Sequence, residues 1–217
     1  MTVRQRATWL AAPRLVPLPA MGAVTVIGCV AVVLVVGTPD RLRAWVVLTG
    51  VVLAAVAASA VDDPTESVAA SAPVARRPRW TARVATGAVG AAPAVAVVAA
   101  TGAMALSDNA ESVVDVLDAM DPGTLGFQIA AYLMIGWAVG AAAVRHWGPG
   151  SGVRCAGPAV FGFHLAVEAT GHLWPRWLPG AEMGTTGWWR AVLGLATVAF
   201  LLAATDPARR LSWRRRP

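Results

Sequence analysis

The chain has 217 residues, 57% of them hydrophobic and only 14% charged, with a mean hydropathy of +0.59. An ordinary soluble domain carries about 25% charged residues, so this composition excludes one. Lysine is absent and all 18 basic residues are arginine, which removes the phosphate-binding lysine of a P-loop ATPase and any Schiff-base chemistry.

Residues 1–20 form an arm in which Arg4, Arg6 and Arg14 are interspersed with Trp9, Leu10, Leu15 and Val16. Such an arm suits an amphipathic segment in the cytoplasmic interface, interrupted at Pro13. No small-x-small cleavage site closes the apolar stretch after it, so a secretory signal is not expected. Six apolar runs follow, at 21–37, 44–61, 84–106, 125–144, 155–174 and 188–205. Each is long enough to cross a hydrocarbon core of about 30 Å. They define a transmembrane domain over 21–206, followed by a basic tail over 207–217.

Between the second and third runs, Pro64 suits a helix start, Glu66 complements its positive end and Pro73 stops it, so Thr65–Ala72 reads as a short helix. Arg76, Arg77, Arg79 and Arg83 come next, as a basic anchor at the headgroups. Between the third and fourth runs, Val113, Val114, Leu117 and Met120 recur at helical spacing, which predicts a short surface helix over 109–120. Its acids lack any metal-loop spacing. Trp137 reads as a packing residue in mid-helix. Gly136 with Gly140, and Gly87 with Ala91, are small-residue pairs that let helices approach closely. Residues 175–189, rich in Pro, Gly and Trp, suit an interfacial or re-entrant hairpin. Cys29 and Cys155 read as free thiols.

Arginines sort these segments across the membrane. With the N-terminus in the cytoplasm, fourteen arginines fall inside and four (Arg41, Arg43, Arg176, Arg190) outside. The expectation is an all-α integral membrane protein with six transmembrane helices, both termini cytoplasmic and short interfacial helices, in the plasma membrane. The acids Asp108, Glu111, Asp115, Asp118 and Asp121 fall outside. The basic charge is therefore one-sided, and its expected partners are anionic headgroups rather than nucleic acid. Trp45, Trp147, Trp174, Trp177, Trp188 and Trp189 mark the interfaces.

Glu168 lies inside the fifth run, with His164 one turn before it and His172 one turn after. An intramembrane carboxylate is costly and is a functional candidate by default. At 100° per residue the three side chains advance 40° per step and share a face, but they climb about 12 Å, too far for one ion to take all three. Three readings stand: a Glu facing the bundle interior, neutral or paired with His164; a polar translocation path or proton relay through His164, Glu168 and His172; and a metal or redox site, for which only His146 remains as a further ligand. No catalytic set, cofactor site or metal site has supporting spacing. No three-plus-three internal repeat of a secondary carrier is visible.

Asp62-Asp63-Pro64 ahead of a Thr/Ser/Pro stretch and an arginine cluster resembles small six-helix proteins of high-GC actinobacteria. Thr205-Asp206-Pro207-Ala208-Arg209-Arg210 after the sixth run is similar to the end of many permease subunits of type-2 ABC exporters. That resemblance implies a subunit without enzymatic activity of its own, paired with a similar subunit as a homodimer or heterodimer. A separate ABC ATPase would drive outward transport of an unspecified substrate. Asp62, Asp63, Pro64, Arg76, Arg77 and Arg79 would be the coupling segment. The alternatives are a proton- or ion-coupled small transporter, or a membrane metal or redox protein using His164, Glu168 and His172.

Overall fold

The computed structural model describes residues 17–35, 37–59, 76–107, 110–148, 150–171 and 184–204. Among them the chain forms seven helices and no strands. These are α1 (Leu18–Val35), α2 (Pro39–Ala58), α3 (Arg76–Leu106), α4 (Ala110–Ala119), α5 (Pro122–Trp147), α6 (Ser151–Gly171) and α7 (Gly184–Ala203). Five of them (α1, α2, α3, α5 and α7) are long and apolar enough to cross a membrane, consistent with an all-α membrane protein. The 21 residues of α6 give about 31 Å of helix, so its length matches a bilayer core. Its composition sets it apart, because Arg154, His164 and Glu168 interrupt the apolar run.

The helices begin earlier than hydropathy implies. Thr38 caps α2 by accepting the Arg41 N–H, and Pro39 occupies the first turn; Asp121 caps α5 by accepting the Thr124 N–H, with Pro122 next to it. Proline suits that position because its missing N–H would have had no helical partner anyway. As a result Arg41 and Arg43 stand on α2 rather than in a loop, and 184–189 form the first turns of α7. Likewise Arg76, Arg77, Arg79 and Arg83 belong to one helix continuous with the third apolar run. Most of the N-terminal arm, Thr65–Ala72, most of the 175–189 segment and the tail lie outside the described residues.

Contacts fix the helix directions. Met21 on α1 meets Gly90 on α3, and Thr49 on α2 and Val98 on α3 both meet Gly28. Ile129 on α5 meets Gly50 on α2, and Val160 and Ala156 on α6 meet Gly136 and Gly140 on α5. Arg145, near the end of α5, donates to the Leu202 carbonyl near the end of α7 at 3.0 Å. So α2, α5 and α7 run one way and α1, α3 and α6 the other. This alternation gathers the start of α3, the end of α5 and the start of α6 at one end of the bundle. That end carries Arg76–Arg83, Arg145 and Arg154. The opposite end carries α4, where Val113, Val116 and Leu117 pack onto the core and Met120 is buried. Val114, expected on the same face, is exposed.

At the centre, α2 and α5 are the most enclosed helices. Trp137 is buried and its Nε1–H donates to the Ala57 carbonyl at 3.2 Å. A Cβ on Gly87 would lie 3.0 Å from the Trp137 ring, and one on Gly136 would lie 3.0 Å from Ala58 and 3.1 Å from Val160. Between apolar helices in lipid, such close backbone approach supplies the packing that the hydrophobic effect supplies in water. Both small-residue pairs therefore stand at helix contacts. Hydroxyls are absorbed locally: Thr25, Thr49, Thr101, Thr197 and Ser107 each donate to the carbonyl four residues back. Among the tryptophans, Trp147 is exposed at the end of α5, whereas Trp189 is a core residue rather than an interfacial one.

Candidate functional site

Thr124, Gln128 and Tyr132 recur every four residues along α5 and share one face. They are buried although polar. Burying such groups requires hydrogen bonds, and the facing helices provide them. The Thr124 and Thr186 hydroxyls are in hydrogen-bond contact, joining α5 to α7. Gln128 Nε2 donates to Tyr132 Oη at 3.3 Å, and Tyr132 Oη stands 3.0 Å from His164 Nδ1 on α6. Tyr132 is the only tyrosine of the chain. Its ring is wedged edge-on among Phe163, His164 and Trp189, with centroids at 6.1, 5.6 and 5.4 Å. The Arg190 guanidinium lies 4.8 Å from the Phe127 ring centroid, a cation–π distance.

Gln128 donates to Tyr132, and the Tyr132 hydroxyl and His164 Nδ1 share the second hydrogen bond, whose direction follows the His164 tautomer. The site is a hydrogen-bonded chain of Gln128, Tyr132 and His164 that crosses from α5 to α6.

The sequence candidates are separated by this geometry. His164 is half-buried and its described hydrogen bond goes to Tyr132, not to Glu168. Glu168 is exposed at the bundle surface rather than facing the interior. It lies in the last turn of α6, which ends at Gly171, so the helix dipole does not favour its charge there. Among the described residues its carboxylate has no hydrogen-bond partner. His172, Asp62, Asp63 and Pro64 lie outside the described residues, while Arg76, Arg77 and Arg79 occupy the first turn of α3. His146 is exposed near the end of α5, about 21 Å along the helix from Tyr132, so it cannot share an ion with His164. Among the described residues no three His, Cys, Asp or Glu side chains are grouped to hold a metal. Thr124, Gln128 and Tyr132 were missed in the sequence. The signal was there: polar residues at i, i+4 and i+8 through an apolar run are one helical stripe.

At the mouth of this stripe, Asp121 adopts a left-handed conformation, φ 51°, which aspartate tolerates better than most residues. The Thr124 hydroxyl and backbone N–H, with Arg43 adding to them, hold its carboxyl below the usual aspartate range. A depressed folded-state value means a stabilising contribution fully present above the ordinary value of 3.8, lost as pH falls through the lower folded-state value. Asn caps as well as Asp but carries no charge. Wild type should therefore melt above Asp121→Asn at about pH 5, and the gap should close on acidification past that window. A gap independent of pH refutes the assignment.

No protein-family model, no curated protein and no solved structure matches this chain.

Proposed function

We propose that this chain is the transmembrane subunit of an ABC-type exporter, crossing the plasma membrane six times with both termini in the cytoplasm. It works as a dimer with a second copy or a similar subunit, and a separate ATPase drives it. The observation that carries this reading is α3. Its apolar part is Val84–Leu106, yet the helix begins at Arg76. The extra eight residues carry it about 12 Å past its apolar part. The coupling segment expected over 62–80 thus runs into the first turns of α3, so a push on it would act directly on this helix. A sequence without lysine has no P-loop lysine, which supports a separate ATPase, and the arginines of this end suit anionic headgroups. A proton- or ion-coupled carrier is the second reading, favoured by the buried Gln128–Tyr132–His164 chain.

Affinity capture of the tagged chain from native membranes should retain a P-loop ATPase. Replacing Thr65–Ala72 by a Gly/Ser linker should abolish that retention while leaving membrane insertion intact. Inserting two glycines between Ala82 and Arg83 should keep the ATPase bound but uncouple its hydrolysis from the bundle. A cysteine at Ser71, in a cysteine-free background, should stay shielded from a membrane-impermeant thiol reagent in intact cells. Wild type that retains no P-loop ATPase, or labelling at Ser71, sinks the reading.

A further inference from the structure

We infer that α6 is hinged at Pro158, and that its C-terminal half is a gate latched shut by the hydrogen bond between Tyr132 and His164. This goes beyond either transport reading and holds whichever is right.

Pro158 stands inside α6. It has no N–H, so the Arg154 carbonyl loses its helical donor at that turn, and sharp bends in helices gather at such prolines. Gly157 comes immediately before it, which puts the two weakest helix formers side by side. The helix runs unbroken from Ser151 to Gly171 across this weak point.

The two halves are held in different ways. Before the proline, α6 is seated backbone-close on its neighbours. A Cβ on Gly140 of α5 would lie 3.5 Å from Ala156 and 3.7 Å from the Gly152 carbonyl, and one on Gly157 would lie 4.0 Å from Ala55 of α2. Val160, just past the proline, still sits in the junction with Gly136 and Ala58. Further along, the grip passes to side-chain tips. Tyr132 Oη and His164 Nδ1 share a hydrogen bond at 3.0 Å. The Tyr132 and Phe163 rings meet edge-on at 6.1 Å, and Phe163 faces Trp189 of α7 at 6.4 Å. Val167 adds a partly buried contact. On the other side Phe161, Gly162, Leu165, Glu168 and Ala169 are exposed, so among the described residues nothing there opposes an outward swing.

A single hydrogen bond between helices in a membrane contributes modestly, which suits a latch that must open as well as close. The swing breaks that bond and parts Phe163 from Trp189, while the half before Pro158 stays seated on α2 and α5. The Thr124–Gln128–Tyr132 stripe, buried while the gate is shut, is then uncovered between α6 and α7. The hinge therefore controls access to the polar stripe.

The test measures distances by double electron–electron resonance on the purified full chain in lipid nanodiscs, with Cys29→Ala and Cys155→Ala as background. Spin labels at Leu195→Cys on α7 and Ala169→Cys on α6 report the gate; labels at Leu195→Cys and Val153→Cys report the seated half. All three positions are exposed. A swing of about 20° moves position 169, roughly 16 Å beyond Pro158, by roughly 5–6 Å. Tyr132→Phe keeps the ring but removes the latch hydroxyl, and His164→Leu breaks the same bond from the half-buried side. Each should raise the population of the longer 169–195 distance and leave 153–195 unchanged. Adding Pro158→Ala to either should restore the short distance, because the latch is still absent but the hinge is gone. Either variant alone suffices if the other does not fold. Latch variants with wild-type distances, a 153–195 distance that lengthens alongside, or a long 169–195 distance that persists with Pro158→Ala overturns the inference. None of these readouts involves an ATPase, so they stand apart from the capture experiment.

Discussion

Trp137→Ala should be the most damaging single truncation in the described bundle. Trp137 and Tyr132 head the largest fully enclosed side chains, and Trp137 fills the space between α2, α3 and α5. Its ring abuts the Gly87 backbone on one side and Ala57 lies close by. Gly87 has no side chain to move into the hole, and the neighbouring α2 residues are alanines. The cavity therefore cannot collapse cheaply, and truncations of this kind cost about 3–5 kcal/mol. The indole also supplies the Nε1–H to the Ala57 carbonyl at 3.2 Å. Trp137→Phe keeps most of the volume and loses only that bond, so it should cost about 1 kcal/mol. Equilibrium unfolding in detergent should rank the two well apart. Equal losses would mean that the hydrogen bond, not the filled volume, is what Trp137 contributes.

That contrast also shows how the fold was legible. Trp137 stood out because a tryptophan in the middle of an apolar run has no interface to seek, and Gly136 with Gly140 announced a close helix contact; both hold. The apolar runs begin several residues inside the helices, because hydropathy rises only after a cap. Thr38-Pro39 and Asp121-Pro122 mark the true starts, through capping rather than apolarity. The site was half-legible for a different reason. Helical arithmetic put His164 and Glu168 near one face, but which of them turns inward depends on a partner on another helix. Tyr132 chooses His164, and the 40° that separates the two residues leaves Glu168 at the surface. No property of α6 alone contains that choice. The stripe Thr124–Gln128–Tyr132 was visible as spacing, yet Thr124 stands just before the fourth run, and averaging hydropathy over that run dissolves Gln128 and Tyr132 among its alanines and leucines.

A paired glycine series should separate close approach from mere helix composition. Gly136 and Gly162 both lie in helix interiors, where alanine is intrinsically favoured over glycine by about 0.5–1 kcal/mol. At Gly162 an added Cβ meets nothing within 4 Å, so Gly162→Ala should realise that gain and raise the melting temperature slightly. At Gly136 the same Cβ stands 3.0 Å from the Ala58 Cβ and 3.1 Å from Val160 Cγ2, with the Ala54 carbonyl 3.5 Å away. Three helices converge there, and neither Ala58 nor the Ala54 backbone has a flexible end to yield. Gly136→Ala should lose its propensity gain to that crowding. Gly136→Leu must push α2 or α6 off α5, an overpacking cost of roughly 2–3 kcal/mol. Because α6 carries His164, displacing it should also lengthen the Tyr132–His164 contact. The His164 ring signals in Gly136→Leu should then move from their wild-type positions by 15N NMR, although position 136 is a full helical turn from Tyr132. A Gly136→Leu protein as stable as wild type, with the His164 signals unmoved, would show that the three-helix junction does not hold α6 in register.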